Sequence, residues 1–442
     1  MRLHIGVDDT DSPGGGCTTY IGALLVERLT RLGLRFLDYP NLIRLNPNVP
    51  WKTRGNGAIC LRVEGSEEQV ARSIEEAVSV VEDNADLAHE KTHPGLVFLR
   101  GEVPGPIRLF SETVIRDIAQ KADALKLIRR FGADAVGFKK GRGLIGALAA
   151  IGERLDKGDY TYELLVYRAP ENWGQVRRVA VGSVIEMDRL TRPLTFNNFD
   201  YETRRVLITP RGPDPILYGV RGESPEAVWK AYGIVRVDEA IDRWVIYRTN
   251  QGTDAHFPKP SKVGRARPYR PVTVRGTVVS TPRAIRGGHV IFRLGDETGE
   301  IDCAAYEPTG RFRHVVRMLR RGDLIEAFGG VRPPTPDHPA TINLEKIRIV
   351  RLARKAVHRN PLCPRCGKRM KSAGKDKGLE CKGCGLRSLA IRRILETERR
   401  ELAPGLYIPP PRAQRHLTKP LSRYGMEKDA PPVSPRGRWH AP

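Results

Sequence analysis

Long apolar runs are missing from this 442-residue chain. None approaches the roughly eighteen residues that a membrane-crossing helix needs, and the first residues do not follow the basic-then-apolar order of a secretory leader. A soluble, cytoplasmic protein with no membrane partner is therefore expected. Cysteine is also scarce, seven in all. Cys17, Cys60 and Cys303 are scattered and the other four fall in close pairs, which excludes a disulfide framework and fits a reducing compartment. Acidic residues are outnumbered, 51 against 75 Lys and Arg, for a net charge of +24. That excess calls for a polyanionic partner; RNA, DNA or an anionic membrane surface would each satisfy it on charge alone. No internal repeat is found, and the length suits about three domains.

The scarce carboxylates are unevenly placed. Asp8, Asp9 and Asp11 crowd into "VDDTDSPGGGCTTY" (7–20), directly after a strand-like Leu3 to Val7. Such crowding is costly unless a divalent cation or solvent relieves it. Ile21, Leu24, Leu25, Leu29 and Leu32 recur at helical spacing, so Gly14, Gly15 and Gly16 form a loop that ends at a helix N-terminus near Thr18, a place that attracts anions. Strand, acidic cluster, glycine loop and helix start together read as a site for Mg²⁺ and phosphate. An EF-hand would need a ligand where Pro13 stands and a glutamate at Tyr20; a Walker A loop would need a lysine after the glycines. Two alternatives stay open at this point. The Asp9-Thr10-Asp11 triplet after a strand resembles the nucleophile motif of haloacid-dehalogenase phosphatases, and an acidic turn with a glycine hinge could be structural only.

To about residue 130 strand-like runs (3–7, 58–63, 96–99) alternate with helical ones (18–32, 66–81, 111–128), an α/β pattern. From 131 to 264 the reading is α+β, with a short glycine-flanked helix in "GLIGALAAIG", strands at 162–167 and 244–247, and a helix at 225–232. Residues 253–271 turn to Pro, Lys and Arg and look like a linker. Between 268 and 352 come five strand candidates, with a basic helical segment at 310–321 after the third, the order of an OB-fold. Phe292, Tyr306, Arg283 and Arg293 are candidates for a face that stacks and pairs with single-stranded nucleic acid; a barrel used only for packing is the alternative.

Within 353–400, Cys363 and Cys366, then fourteen residues, then Cys381 and Cys384 form two CxxC knuckles. Four thiolates at about 2.3 Å would hold Zn²⁺ tetrahedrally with no open position, hence a structural site. An iron–sulfur centre or a redox dithiol is the alternative. Lys368, Arg369, Lys371, Lys375 and Lys377 would present charge to phosphates. The segment 401–442 is basic and Pro-rich; alone it would lack order, and it could gain order against the body or RNA.

Taken together, the opening stretch, "NPNVPWKTRGNGA" (46–58), "VGFKKGRGLIGALAA" (136–150), "TFNNFD" (195–200), "GPDPILYGVRG" (212–222), "YRTNQGTDAH" (247–256), the OB-like region and the four-cysteine ribbon resemble, in that order, the archaeal 2-agmatinylcytidine synthetases of AUA-decoding isoleucine tRNA. The resemblance covers nearly the whole chain up to about Arg423. It implies a multidomain α/β and α+β protein: a kinase-like ATP-binding domain (1–130), a ferredoxin-like agmatine-binding domain (131–264), an OB-fold (268–352), a zinc ribbon (353–400) and the basic tail (401–442). It also implies an ATP-dependent ligase that joins agmatine to C2 of the wobble cytidine of the CAU-anticodon isoleucine tRNA, so that the anticodon reads AUA. Cofactors would be ATP, Mg²⁺ and Zn²⁺.

The resemblance further implies residue roles. Asp8, Asp9 and Asp11 would hold Mg²⁺ against the triphosphate, with phosphate received at Gly14, Gly15, Gly16 and the helix start. Thr18 stands where a phosphoryl-accepting threonine is expected. Lys52 and Arg54 would neutralise the transferring phosphates, with Asn56 in support. Lys139, Lys140 and Arg142 would meet ATP or the tRNA backbone. Asp200 and Asp214 would hold the two cationic ends of agmatine, and His93 and His256 are further base candidates. An RNA-recruited phosphotransferase using Asp9, and a non-enzymatic single-strand-binding protein, are the competing functions.

Overall fold

The computed structural model describes every residue except Arg54, Lys355 and Pro432. Its first unit runs β1 (Arg2–Asp8), α1 (Thr18–Arg31), β2 (Asn41–Arg44), β3 (Gly57–Glu64), α2 (Glu67–Asn84), β4 (Gly95–Arg100), α3 (Gly105–Arg116), α4 (Lys121–Arg130), β5 (Asp134–Gly137) and α5 (Leu144–Gly152). β1 lies between β3 and β4, antiparallel to both. Leu3, Ile5 and Val7 point to one face, where they are buried with Ile21, Leu25 and Leu29 of α1. The opposite face takes α3 and α5. Both faces are therefore covered, and the central strands read as apolar runs. α2 begins with a capping box, Ser66 Oγ accepting from Gln69 N while the Gln69 side chain accepts from Ser66 N, which satisfies two of the helix's orphan donors.

The second unit adds β6 (Thr161–Arg168), α6 (Val181–Thr191), β7 (Ile216–Gly222), α7 (Pro225–Tyr232) and β8 (Ile241–Thr249). Ser224 caps α7 and Pro225 opens it, as the sequence pattern predicts. β2 pairs in parallel with β8, Asn41 opposite Arg248 and Leu42 opposite Thr249, so one sheet runs β5-β4-β1-β3-β2-β8-β6-β7 through both units. The seam is further tied by Tyr247 Oη donating to Thr19 O at 2.7 Å and Arg44 N donating to Asn250 Oδ1 at 2.8 Å.

Strands β9 (Pro271–Val278), β10 (Val290–Asp296), β11 (Gly299–Ala305), β12 (Leu324–Arg332) and β13 (Thr341–Arg351) form a barrel of order β9-β12-β13-β11-β10, closed by β9 against β10. The helix after the third strand is present but short, Phe312–Arg317. This is the OB-fold. A small cluster of Cys363, Met370, Leu379 and Cys381 forms the core of the ribbon that follows.

Two expectations are corrected, and the tail takes the first of its two expected routes to order, against the body. The helical run 111–128 is two helices, because Asp117 is extended (φ −146°, ψ −174°) and its Oδ1 accepts from Ile118 N; an aspartate competing for local backbone in this way ends a helix. The 253–271 stretch is not a loose linker. His256 is fully buried, Ser261 N donates to Thr273 O at 2.8 Å and Val263 N to Asp296 Oδ2 at 2.9 Å. The tail, short of apolar residues, is ordered through charge. Arg423 is fully buried, with its Nη1 and Nη2 each 2.9 Å from an Asp159 carboxylate oxygen and its Nε 2.5 Å from Glu223 Oε1. Gly405–Tyr407 adds to β13 and His440–Ala441 to β8.

Arg423→Ala leaves Asp159 and Glu223 buried with only Lys419 and Lys428 to answer them. The expected loss is about 3 kcal/mol of stability, seen as a lower midpoint in denaturant unfolding. An unchanged midpoint would mean that the strap adds nothing.

Candidate functional site

The carboxyl end of β1 opens into a cavity of about 230 Å³ at the seam between the two units. Asp8, Asp9 and Asp11 line one wall with Thr18; Lys52 and Asn56 come from the facing 49–57 loop; Arg142 lies before α5; Asp214 comes from the second unit. Predicted site residues some 200 positions apart in sequence thus share one cavity.

Local sequence explains the geometry. α5 lies almost on the backbone of β1 and β4: a Cβ at Gly6 would strike Ala147 O, one at Gly95 would strike Leu144 N, and one at Gly143 would strike Asp8 O. At Gly146 an added Cβ would collide with the Asp8 carboxylate itself. The glycines of "GRGLIG" are therefore what lets α5 close over the acidic strand end. Immediately before α5, Arg142 reaches Asp9 with both prongs, Nε to Oδ2 at 3.0 Å and Nη2 to Oδ1 at 2.9 Å. Asp11 Oδ1 accepts from Thr53 Oγ1 at 2.9 Å, tying the 49–57 loop to the acidic wall.

Burial pushes the Asp8 carboxyl well above the usual carboxylate range, and the neighbouring Asp9 charge adds to it. Burial likewise raises Asp9, with Arg142 opposing. A carboxylate cluster that its own surroundings disfavour as charged is suited to a divalent cation, which restores the ionised form. Hard oxygen donors fit Mg²⁺. On the opposite wall, desolvation and then the Arg415 charge lower the Lys52 ammonium.

The α1 N-terminus faces this cluster through Cys17, Thr18 and Thr19. Cys17 is extended at the N-cap, and no side chain caps the helix. Thr18 Oγ1 lies 3.0 Å from Thr10 Oγ1, both residues buried. The glycine loop itself is folded on Ser12: Ser12 N donates to Gly15 O at 2.9 Å and Gly14 N to Ser12 Oγ at 3.0 Å. Gly16 has φ +68° with Thr10 O close behind it, a place only glycine fills without strain. Gly14, Gly15 and Gly16 are thus outside the cavity lining.

The remaining predicted residues divide between this cavity and other places. Lys139 donates to Leu87 O at 3.2 Å and to His89 O at 2.6 Å. Asp200 closes a turn, accepting from Glu202 N at 2.9 Å and Thr203 N at 3.3 Å, and pairs with Arg412 of the tail at 2.6 Å; against the opposing effect of burial, Arg412 and then those amides lower its carboxyl. Asp214 lies in the cavity wall and also meets Arg177 at 3.4 Å. Asn56 Nδ2 donates to Asn46 O at 2.7 Å, which braces the loop. Arg54 lies outside the described residues. His93 and His256 are not in the lining; His256 is buried against Glu345 at 3.2 Å.

Arg44, Trp51, Asp117 and His416 line the cavity and were not singled out by sequence reading. Arg44 ends an ordinary apolar strand and His416 belongs to the tail, so neither carries a local pattern. In the barrel, Phe292 is a core residue, 1% exposed, because Val290, Phe292 and Leu294 alternate inward. Tyr306 and the exposed Arg283 remain on the outside, and Arg293 is paired with Glu300 and Asp302.

The four ribbon sulfurs lie within 4.8 Å of one another, with Cys366 and Cys381 Sγ 3.3 Å apart and Cys363 and Cys384 Sγ 3.6 Å apart. Arg365 N and Gly383 N donate to Cys363 and Cys381 Sγ at 3.4 Å. Backbone donors from Cys384 and Gly383 lower the Cys381 thiol to about 6. Thiolates gathered this closely fit a tetrahedral Zn²⁺. Among the described residues no helix is long and apolar enough to cross a membrane.

A phosphate-suited acidic cavity on an α/β body, joined to an OB barrel and a cysteine ribbon, defines a multidomain enzyme of nucleic acid. The comparisons narrow that class. Family models match as the TiaS TCKD domain over 4–140, the TiaS FLD domain over 141–256, an OB-fold nucleic acid binding domain over 272–350 and the TiaS C-terminal zinc ribbon domain over 360–401. The isoleucine-tRNA 2-agmatinylcytidine synthetase TiaS of Archaeoglobus fulgidus is 44% identical over 97% of this chain and 99% of its own. Two solved structures, TiaS with isoleucine tRNA and ATP and TiaS with isoleucine tRNA, AMPCPP and agmatine, superpose with TM-scores of 0.83 and 0.81, at 42% and 41% identity. They cover 98% and 96% of this chain, and 100% and 97% of their own. The chain belongs to the TiaS family.

Gly146→Ala should force α5 off Asp8 and weaken nucleotide binding at least tenfold in a titration with Mg²⁺-ATP, with zinc content unchanged. Unaltered affinity would show that the close approach is dispensable. Chelating the metal should leave the ribbon's four-residue core too small to stand alone, so amide exchange should speed up over 360–401 and not over β1.

Proposed function

We propose that this cavity carries out ATP-dependent ligation of agmatine to C2 of the wobble cytidine in the CAU-anticodon isoleucine tRNA, so that the anticodon reads AUA. The carrying observation is that one cavity joins the Asp8–Asp11 cluster and the α1 N-terminus of the first unit to Asp214 of the second. Phosphoryl chemistry and amine attack must act on the same base, and the seam is where both donor sets meet.

The C2 oxygen of cytosine is a poor leaving group. Phosphorylating it makes it a good one; the agmatine amine then attacks C2, loses a proton, and phosphate departs. Mg²⁺ held by Asp8, Asp9 and Asp11 would offset triphosphate charge. Phosphoryl transfer rests mainly on positioning and charge stabilisation, which falls to Lys52 and the α1 amides, with Arg54 as a further cation by its place in the motif. Thr18 is the phosphoryl-accepting threonine. Arg142 fixes Asp9, and Asn56 braces the 49–57 loop. Asp214 meets one cationic end of agmatine. Asp200, tied to Arg412, orders the tail. Both Asp9 oxygens accept from Arg142, which speaks against Asp9 as an aspartyl nucleophile.

The target base leaves its stack to enter the cavity. The OB barrel takes the single-stranded anticodon, and exposed Lys368, Arg369, Lys371, Lys375 and Lys377 of the ribbon meet phosphates. The working division is 1–130 for ATP, 131–264 for agmatine, 268–352 and 353–400 for tRNA, with 401–442 as the strap, in a cytoplasmic protein.

Incubation with ATP, Mg²⁺, agmatine and the unmodified CAU-anticodon tRNA, followed by nucleoside mass spectrometry, should yield a cytidine heavier by agmatine minus water. Omitting ATP or agmatine should abolish it. Asp9→Asn should keep tRNA affinity within about threefold and lose ATP consumption by at least a hundredfold, since a residue acting through charge at a transition state costs several kcal/mol. An unchanged cytidine with intact tRNA binding would point back to a binding protein.

A further inference from the structure

Arg44 brings to the cavity a charge that the protein itself leaves almost unanswered. It is the last residue of β2 and lines the cavity, with its side chain 15% exposed. Its Nε is buried with no acceptor, and among the described residues no hydrogen bond leaves Nη1 or Nη2. The carboxylate it faces, Glu163, stands 4.0 Å away and is engaged elsewhere: Oε1 accepts from Arg221 Nε at 3.1 Å and Oε2 from Gln251 Nε2. The backbone of Arg44 is held on both sides, its N donating to Asn250 Oδ1 at 2.8 Å and its O accepting from Asn250 Nδ2 at 3.0 Å. A fixed backbone thus presents unused donors.

The neighbouring loop leaves room for this guanidinium. A Cβ at Gly55 or Gly57 would stand 2.8 or 3.0 Å from Nη1. Neither glycine has a positive φ, so their missing side chains give space and not a turn. Burial lowers the Arg44 guanidinium, Glu163 opposing and Arg221 adding to it. Burial and then Arg415 lower Lys52, and the Arg44 charge heads the causes that lower His416. Three bases of the cavity lining are therefore disfavoured as cations, as Asp8 and Asp9 are disfavoured as anions. An anion relieves them. Agmatine, a dication, would be repelled here, whereas a guanidinium suits phosphate oxygens. A side chain this enclosed is met by a phosphate that enters the cavity, and the backbone of a tRNA strand stays outside with the strand.

We propose that Arg44 is a phosphate ligand for ATP, its Nη1 and Nη2 donating to oxygens of the phosphate chain that Asp8, Asp9 and Asp11 meet through Mg²⁺. This deepens the function proposed above and rests on it. Removing Arg44 orphans no partner, because Glu163 keeps Arg221 and Gln251. A side chain that serves the fold costs stability when truncated; a buried cation that awaits its ligand does not.

The test uses the full chain and Arg44→Met, which keeps the length and drops the charge. The unfolding midpoint without ligand should stay or rise. Calorimetric titration should show affinity for Mg²⁺-ATP falling tenfold or more, with affinity for adenosine, which has no phosphate, held within twofold. Arg44→Lys, with the charge and not the fork, should lie between. Affinity for the isoleucine tRNA in the absence of ATP should hold within twofold, with an unchanged dependence on salt. An unchanged ATP affinity in Arg44→Met overturns the assignment. So does an equal loss for ATP and adenosine together with a lowered midpoint, which marks a structural role. A fall in tRNA affinity with ATP affinity intact, and a salt slope smaller by about one, would put the phosphate on the RNA backbone and overturn it too. Should Arg44→Met not fold, Arg44→Lys carries the same comparison of ATP with adenosine. A wild type that binds no ATP or attaches no agmatine sinks the function itself, whereas an active wild type whose ATP affinity is indifferent to residue 44 sinks only this reading.

Discussion

How close α5 can lie to the ends of β1 and β4 decides what the cavity is. Gly6, Gly95, Gly143 and Gly146 leave no side chain between helix and strand backbone. The Asp8 carboxylate is consequently pressed against the helix, and Arg142, at the entry to that helix, falls on Asp9. Burial then raises both carboxyls. The same packing that removes water thus creates the demand for a cation, and it does so beside a helix N-terminus that favours anions. A looser helix would solvate the cluster and remove that pairing of opposite preferences.

Charge is used inside this molecule as well as on it. Arg168 with Glu239, Arg248 with Asp38, Arg400 with Asp323, and Arg423 with Asp159 and Glu223 are ion pairs with nearly inaccessible side chains. Buried pairs add little net stability, yet breaking one is costly, so they select one arrangement over others. Here the Arg248 pair spans the seam and the Arg423 pairs fix the strap that carries His416 into the cavity. Such pairs cancel within themselves, so the net charge of +24 belongs to the rest of the chain, the exposed ribbon lysines among it.

Whatever depends on local pattern was legible. Leu3 to Val7 followed by three aspartates, the helix at 225–232, the five barrel strands and the paired CxxC knuckles each carry their own period or spacing, and each lies where that spacing puts it. Motif order over the chain supplied the family, and with it Asp8, Asp9, Asp11, Thr18, Lys52, Asn56, Arg142 and Asp214 of the cavity lining. What was hidden depends on contacts distant in sequence. The single helix read across 111–128 keeps its apolar period through the break, so only Asp117, bonded to Ile118 N and Arg270, marks it. The 253–271 stretch is poor in apolar residues but is held by hydrogen bonds to the barrel, which hydropathy does not register. Phe292 looked like a stacking residue because an aromatic on a strand reads the same from either face until the register is known.

The distribution of charge around the cavity also orders what can enter it. Asp8, Asp9 and Asp11 repel a bare phosphate, while Lys52 and the α1 amides of the same cavity attract one. A phosphate chain satisfies both only when it arrives with a divalent cation between itself and the carboxylates. The corner formed by Arg44, Arg221 and His416 has the opposite character, with fixed positive charge around a neutral imidazole. Asp214 brings a carboxylate from the second unit to the same cavity, where Arg177 meets it at 3.4 Å. Groups of opposite preference are thus brought into one cavity at the seam, where β2 of the first unit pairs with β8 of the second.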